Sequence, residues 1–172
     1  MYLLIGVWGS GRKEYAAMKL TLMLMGGSAF LLIGILGIFY GAGGETMNLL
    51  EIAKLHIPHE MQRIFFPLIF LGFGVLGALF PFHTWSPDGH ASAPTAVSML
   101  HAGVLMKLGG YGCFRVAMYL MPEGAAMWGD VFLILTTISV VYGAFSAVVQ
   151  TDLKYINAYS SYPTADWYSL PC

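Results

Sequence analysis

The chain has 172 residues, of which 58% are hydrophobic and 10% are charged, with a formal net charge of −1. A soluble domain usually carries about a quarter charged residues, so this composition excludes a water-exposed globular protein. The near-neutral balance argues against a nucleic-acid partner, and the 21 glycines suit helices packed closely in lipid. We therefore predict an all-α protein, a bundle of helices that crosses a membrane several times.

The chain opens with a short apolar stretch and continues into a longer one. Residues 1–9, MYLLIGVWG, cover less than half a bilayer, and half a membrane helix cannot satisfy its backbone groups against hydrocarbon. We interpret them as the end of a helix that begins outside this sequence, so that the chain is a fragment of a longer protein. A complete helix is predicted over about 16–40, which contains no proline and a single charge, Lys19.

A polar linker and a glycine-rich helix follow. We interpret residues 45–62 as a loop at the lipid headgroups, and the next helix is predicted over about 63–82. Three glycines and Pro81 in its second half free backbone carbonyls, which are tolerated only where protein or water satisfies them. We therefore expect a discontinuous helix near Gly72–Pro81, the alternative being a plain, closely packed one. One turn of the linker is amphipathic, with apolar side chains at Met47, Leu50, Ile52 and Leu55.

The segment 83–95, HTWSPDGHASAPT, has the composition of a loop, because prolines and a glycine favour a tight turn. His83 and His90 flank Asp88, a combination that suggests a metal site. No further ligand spacing supports zinc, and we predict no metal in this chain. Instead we expect Asp88 and the two histidines to hold the turn between two helices and to face a water entrance.

The third predicted span, about 96–120, has a lysine near its middle. A charged lysine at mid-membrane costs at least ~3 kcal/mol on insertion scales. Either Lys107 pairs with an acid or water on a neighbouring helix, or burial favours its neutral form, and both states suit a proton relay. Gly103 and Tyr111 lie one turn away on the same face, which suits helix contact or a water-lined cavity. The alternative is a lysine that snorkels to the headgroups, for which its reach from mid-helix is poor.

Two further basic side chains share this helix. His101 lies about 120° around the axis from Lys107. It either relays protons near neutral pH or hydrogen-bonds a neighbouring helix, and the sequence favours neither. Arg115 lies two turns beyond Lys107, toward the opposite face, and we interpret it as an interfacial anchor or an ion-pair partner.

The fourth span is predicted over about 131–150, followed by the possible start of another helix and a tail at 162–172. Four spans divide the loops between two sides of the membrane. The positive-inside rule favours the side with loops 10–15 and 83–95 as cytoplasmic. That side carries Arg12, Lys13, Lys19 and Lys154, against Lys54, Arg63 and Arg115 on the other.

A long block of the sequence, FPFHTWSPDGHASAPTAVSMLHAGVLMKLGGYGCFR, closely resembles the central motif of the subunit M family of proton-pumping NADH-quinone oxidoreductase, complex I. The stretches YLLIGVWG, YAAMKL and QTDLKYINAYSS match the same family in the same order, so the resemblance covers about residues 1–161. It implies an antiporter-like fold of fourteen helices in the cell inner (plasma) membrane. Protons would move there while quinone is reduced elsewhere in the complex.

The resemblance also implies where the redox chemistry lies. The chain contains no phosphate loop, dinucleotide fingerprint, CxxC or haem motif. We therefore expect no cofactor in this chain, and NADH, flavin, iron–sulfur clusters and quinone in partner subunits. The expected partners are the other membrane-arm subunits and the lipid bilayer, and the chain alone is expected to be inactive.

By position, Lys107 matches the family's central lysine, on the polar axis that joins two half-channels. The sequence departs from the family in three ways: the usual glutamate would precede Met1, no lysine occurs between Arg63 and Lys107, and the chain diverges at Tyr162. Either His101 and Lys107 take over the relay in this branch, or this copy does not pump. The alternatives are a subunit of a multi-subunit cation/proton antiporter or membrane-bound hydrogenase, or a non-functional truncated copy.

Overall fold

The computed structural model describes residues 1–44, 47–55 and 57–167, with side chains described as far as Ser161. Every regular element among these residues is helical, which confirms the predicted all-α class. In chain order the elements are α1 (Tyr2–Trp8), α2 (Lys13–Gly41), α3 (Leu49–Ile52), α4 (His59–Gly77), a 3-10 turn (Phe82–Thr84), α5 (Trp85–Ser92), α6 (Thr95–Leu100), a π segment (His101–Leu105), α7 (Met106–Gly112), a second π segment (Cys113–Met118), α8 (Pro122–Val149) and α9 (Leu153–Trp167).

The helices run back and forth between two ends of the bundle. At one end the Ser10 N–H donates to the Ser92 carbonyl at 2.9 Å, and Lys154 Nζ donates to the Ala91 carbonyl at 3.4 Å. The turns that follow α1, α5 and α8 therefore meet there, and we call this the Lys154 end. At the opposite end the first turn of α8 contacts the buried Gln62, near the start of α4.

Three helical stretches of the described residues are long and apolar enough to cross a membrane: Lys13–Gly41, His59–Ser92 and Pro122–Val149. The fourth predicted span, 96–120, corresponds to α6, α7 and the two π segments, which together run without a break from residue 95 to 118. We call this run the lysine helix. Its two π segments divide it into short elements, so the sequence prediction of one uniform helix was too simple.

The glycine-rich helix is discontinuous, as predicted. α4 ends just before Ala78, which adopts a left-handed conformation with φ of 64°, and helical structure resumes at Phe82. Protein groups satisfy the backbone at the break. The indole N–H of Trp85 donates to the Val75 carbonyl at 3.1 Å, and the Phe80 N–H donates to a serine hydroxyl of α8 at 3.3 Å. The break therefore needs no lipid-exposed polar backbone.

The predicted loop at 83–95 is wrong, because most of it is helix. The 3-10 turn and α5 extend to Ser92, and only residues 93–94 form the turn before α6. Pro87 is the third residue of α5, where a backbone N–H would have no partner within the helix. Pro94 is the N-cap of α6. Neither proline interrupts its helix.

A second tryptophan satisfies another carbonyl of α4. Pro67 lies inside the helix and has no N–H for the carbonyl of Arg63, four residues earlier. The indole N–H of Trp128, on α8, donates to that carbonyl at 3.2 Å. The two tryptophans therefore hold α4 at its proline and at its break.

We expect Trp85→Phe to lower stability by about 1–3 kcal/mol, the usual cost of leaving a buried carbonyl unsatisfied. Trp85 is fully buried, so water does not readily replace its indole N–H. Trp128→Phe is the matched control and should cost less, because its hydrogen bond is exposed. The measurement is thermal unfolding of both variants in detergent. Equal losses would contradict the role given to the buried hydrogen bond.

Close helix packing depends on glycines. A Cβ atom built on Gly72 of α4 would lie 2.6 Å from the Cγ atom of Leu31 on α2. One built on Gly109 would lie 2.6 Å from the backbone nitrogen of Gly77. α4 therefore packs directly against both α2 and the lysine helix. Near the end opposite Lys154, Phe70 and Phe132 join α4 to α8 with ring centroids 4.1 Å apart.

The linker and the tail contain more helix than the sequence predicted. α3 forms the predicted amphipathic turn, in which Ile52 is buried, and α4 begins at His59, inside the predicted linker. The backbone of 162–167 continues α9, whereas the last five residues of the predicted tail lie outside the described residues. The other apolar side chains of the turn are exposed: Met47, Leu50 and Leu55.

Candidate functional site

An ion pair joins α2 to α5 near the Lys154 end. Lys19 Nζ lies 2.6 Å from Asp88 Oδ2, and the two side chains are 22% and 29% exposed. The lysine is the single charge of its predicted span, and the aspartate was expected to hold a turn. Asp88 instead attaches α5, the second half of the broken helix, to α2.

Three buried aromatic side chains surround the turn between α5 and α6. The ring of His101 lies 4.4 Å from that of His90 and 5.1 Å from that of Trp85, measured between centroids. His90 Nδ1 hydrogen-bonds the Ser98 hydroxyl at 2.8 Å, so it does span the short turn. Among the described residues, His90 Nε2 and both nitrogens of His101 have no hydrogen-bond partner. Buried polar atoms of this kind usually have a functional or solvent explanation.

A cavity at the Lys154 end reaches the first of these histidines, His90. It has a volume of about 250 Å³, and its polar lining comes from His90, Thr95, Ser98, Lys154 and Asn157. We call it the histidine cavity. His90 is 3% exposed and His101 is fully buried behind it. His90 thus lines the cavity from α5, and the expectation that it faces a water entrance stays a prediction.

His83 lies apart from this pair, at the break in the helix. Its ring stacks on Phe80 with centroids 5.6 Å apart and meets the Tyr142 ring edge-on at 4.9 Å. The residue is buried against α8. The two histidines of segment 83–95 are thus separated: His83 lies at the break in the helix, and His90 lies at the histidine cavity.

Lys107 lies on the outer side of the lysine helix. Among the described residues it contacts no carboxylate within 4.0 Å. Gly103 and Tyr111 are exposed beside it, as expected from their spacing. His101 is buried on the inner side, so the structure does not bring the two proposed relay residues together.

Arg115 is not on the opposite face, and that expectation is wrong. It is exposed, with its guanidinium 5.4 Å from the centroid of the exposed Tyr119 ring. The second π segment, which starts at Cys113, changes the register assumed for a uniform helix. Exposed positions consequently recur every four residues along one row of the helix: Gly103, Lys107, Tyr111, Arg115 and Tyr119.

The sequence identified the candidate site residues but not the residues that they contact. Asp88 is the single acid between Glu60 and Glu123, and Lys19 is the single charge of its span. Two lone opposite charges in apolar segments indicate a pair, and this signal was available. The hydrogen bond between His90 and Ser98 had no such signal, because it depends on the turn at 93–94.

The chain matches the family described as NADH:quinone oxidoreductase/Mrp antiporter, TM, over residues 1–168. It is 41% identical over 94% of its length to NAD(P)H-quinone oxidoreductase chain 4, chloroplastic, of Citrus sinensis, and covers 32% of that protein. It is 39% identical over 94% of its length to NADH-quinone oxidoreductase subunit M of Rickettsia prowazekii, and covers 33% of it. The chain therefore spans about a third of the length of these relatives.

Solved structures show the same fold. A chain of respiratory complex I from Thermus thermophilus, with bound NADH, matches 96% of this chain with a TM-score of 0.88 and 28% identity, over 35% of its own length. A chain of the membrane-bound sulfane sulfur reductase, an archaeal respiratory membrane complex, matches 98% with a TM-score of 0.89, again at 28% identity over 35% of its length. The chain thus has the fold of antiporter-like subunits of these complexes. It belongs to the NADH:quinone oxidoreductase/Mrp antiporter transmembrane family.

Proposed function

We propose that this chain forms part of the proton-translocating membrane subunit of an NADH-quinone oxidoreductase. The observation that carries the proposal is its 39–41% identity, over 94% of its length, to proteins named as subunits of such complexes. In this proposal NADH, flavin, iron–sulfur clusters and quinone belong to partner subunits. The membrane subunit couples their chemistry to proton movement, and this chain contributes no redox centre.

Protons enter, in this proposal, from the Lys154 end through the histidine cavity. His90 lines the cavity, and His101 lies directly behind it. An imidazole nitrogen that is not committed to a protein partner is available to exchange a proton with water. His90 and His101 would therefore carry a proton past the turn at 93–94. We further propose that this end faces the cytoplasm and that the membrane is the cell inner membrane.

Lys107 then acts as the mid-membrane relay. Thr95 begins the lysine helix at the Lys154 end, so Lys107 lies about 18 Å along it at 1.5 Å per residue. The exposed row that contains Lys107 and Arg115 would face other helices of the membrane arm. An unpartnered lysine at this depth favours contact with water or a carboxylate over contact with lipid.

A second candidate is a subunit of a related complex, since the sulfane sulfur reductase matches as well as complex I does by TM-score and identity. A cation/proton antiporter and a membrane-bound hydrogenase belong to the same group of alternatives. The test is to purify the protein with its partners and identify the chains that accompany it. Nucleotide-oxidising flavin and iron–sulfur subunits, together with NADH-driven acidification of vesicles, are the expected result. Sulfur-reducing, hydrogenase or antiporter partners would overturn the proposal.

His101→Leu should lower proton pumping without loss of stability. The change removes two ring nitrogens that have no partner among the described residues, so no hydrogen bond is lost and the fold is expected to hold. The expected decrease in pumping is about tenfold or more, because positioned acid–base groups typically contribute at least that. The measurements are proton uptake per NADH and thermal unfolding. Leu100→Ala, at the exposed neighbouring position, is the control. Unchanged pumping would limit His101 to a packing role.

A further inference from the structure

A second cavity opens at the Lys154 end, between α2, α5 and α9. Its volume is about 320 Å³, and its lining includes Arg12, Tyr15, Asp88, Ser92, Lys154 and Tyr155. We call it the basic cavity. It shares Lys154 with the histidine cavity, but it contains neither His90 nor His101.

The basic cavity carries an excess of positive charge. Arg12 directly precedes α2 and Lys154 lies in α9; both are exposed, and both line the same cavity. The carboxylate of Asp88 is also in the lining, but Lys19 neutralises it at 2.6 Å. Two cations therefore remain without a compensating anion in the lining, at the Lys154 end of the bundle.

The neutral groups of the lining favour an anionic ligand, as the two cations do. The hydroxyl groups of Ser10, Tyr15 and Tyr155 add hydrogen-bond donors. α2 begins at the cavity, directly after Arg12 and without a side-chain cap, so the partial positive charge of its N-terminus adds to the two cations, although Glu14 lies in its first turn. Cations and hydroxyl donors around one cavity favour a phosphate group.

Exposed apolar surface lies close to Lys154 in the chain. Val149 and Leu153, on either side of the turn that leads to Lys154, are 78% and 81% exposed. A free phosphate ion would make no use of that surface, whereas the acyl chains of a phospholipid would cover it. Basic pockets between membrane helices are a recurring way to hold anionic lipid headgroups.

We propose that the basic cavity binds the phosphate headgroup of an anionic phospholipid, held by Arg12 and Lys154. The acyl chains lie against Val149 and Leu153. This inference does not depend on the proton route, because none of the groups that hold the phosphate is a relay residue. It assigns the surface between α2 and α9 to lipid.

The test compares nanodiscs of pure phosphatidylglycerol with nanodiscs of pure phosphatidylcholine. Ser10→Cys places a thiol in the lining, and Thr151→Cys places one on the same side of the bundle but outside both cavities. Each is labelled with N-ethylmaleimide in the purified protein and quantified by peptide mass spectrometry. The ratio of the two rates removes any general effect of the charged lipid surface on thiol reactivity.

The expected result is that phosphatidylglycerol slows labelling at position 10 by about threefold or more relative to position 151. The double change Arg12→Gln and Lys154→Gln should abolish this protection. Lys13→Gln should retain it, because Lys13 lies outside the lining and donates to the Val7 carbonyl. Equal ratios in the two lipids, or protection that survives the double change, would overturn the proposal. Equal protection by inorganic phosphate in phosphatidylcholine would also overturn it, by showing that the ligand is the free ion.

Discussion

Lys107→Ala is expected to lower proton pumping by about tenfold or more while NADH oxidation with an artificial acceptor stays intact. The lysine is an exposed, unpaired side chain near the middle of the lysine helix, and alanine there carries no proton. Among the described residues Lys107 forms no ion pair, so its replacement by alanine should leave the bundle stable. The measurement is acidification of membrane vesicles per NADH oxidised, in the protein with its native partners.

Two variants make this result specific to the proton. Lys107→Arg should also impair pumping, since a guanidinium keeps its proton at any working pH. Leu108→Ala removes the neighbouring exposed side chain, which is 51% exposed, and should leave pumping unchanged. Normal pumping in Lys107→Ala, or equal losses in all three variants, would remove Lys107 from the relay.

Gly109→Ala is expected to destabilise the contact between the lysine helix and α4. Its Cβ would lie 2.6 Å from the Gly77 nitrogen and 2.8 Å from the Phe73 carbonyl oxygen. Both atoms are backbone, so neither can move aside as a flexible side chain would. We expect the lysine helix to be pushed away from α4, with a loss of about 1–3 kcal/mol that measures the overpacking. Thermal unfolding in detergent gives the size of the loss.

Gly103→Ala is the matched control, because it lies in the same helix and a Cβ there meets nothing within 4 Å. The same substitution should be neutral, or should stabilise by up to about 1 kcal/mol, since alanine is the better helix former. Alanine is therefore expected to destabilise the protein at position 109 but not at position 103. A similar loss at both positions would mean that the contact between α4 and α7 is looser than described.

The membrane class and the break in α4 were predictable from the sequence, because apolar length and a run of late glycines carry that information locally. The helical state of 83–92 was not predicted. Proline was read as a helix breaker, yet Pro87 occupies a first-turn position where proline is favoured. The π segments were not predicted either, because the periodicity of the sequence does not encode them; Cys113 and Ala117 of the second segment pack in the core.

The candidate site, too, was predictable from the sequence only in part. Lys107 was found from its own position, as the cost of a mid-membrane charge is a property of the residue and its helix. The distance between His90 and His101 depends on how α5 returns along α6, and the side on which Arg115 lies depends on the register set by the second π segment. The isolated charges of Lys19 and Asp88 indicated an ion pair, but the 2.6 Å distance between them depends on the fold.

The π segments at His101–Leu105 and Cys113–Met118 also determine which changes in length this helix tolerates. A π turn holds an extra residue that the helix accommodates without rotating its two flanks. Losing one residue inside either segment would let the backbone close as an ordinary α-helix, with Lys107 still on the outer wall. Losing one residue within Met106–Gly112 would instead rotate everything beyond it by about 100° and turn Arg115 away from the exposed row. Relatives that differ here by a single insertion or deletion are thus expected to place it in the π segments.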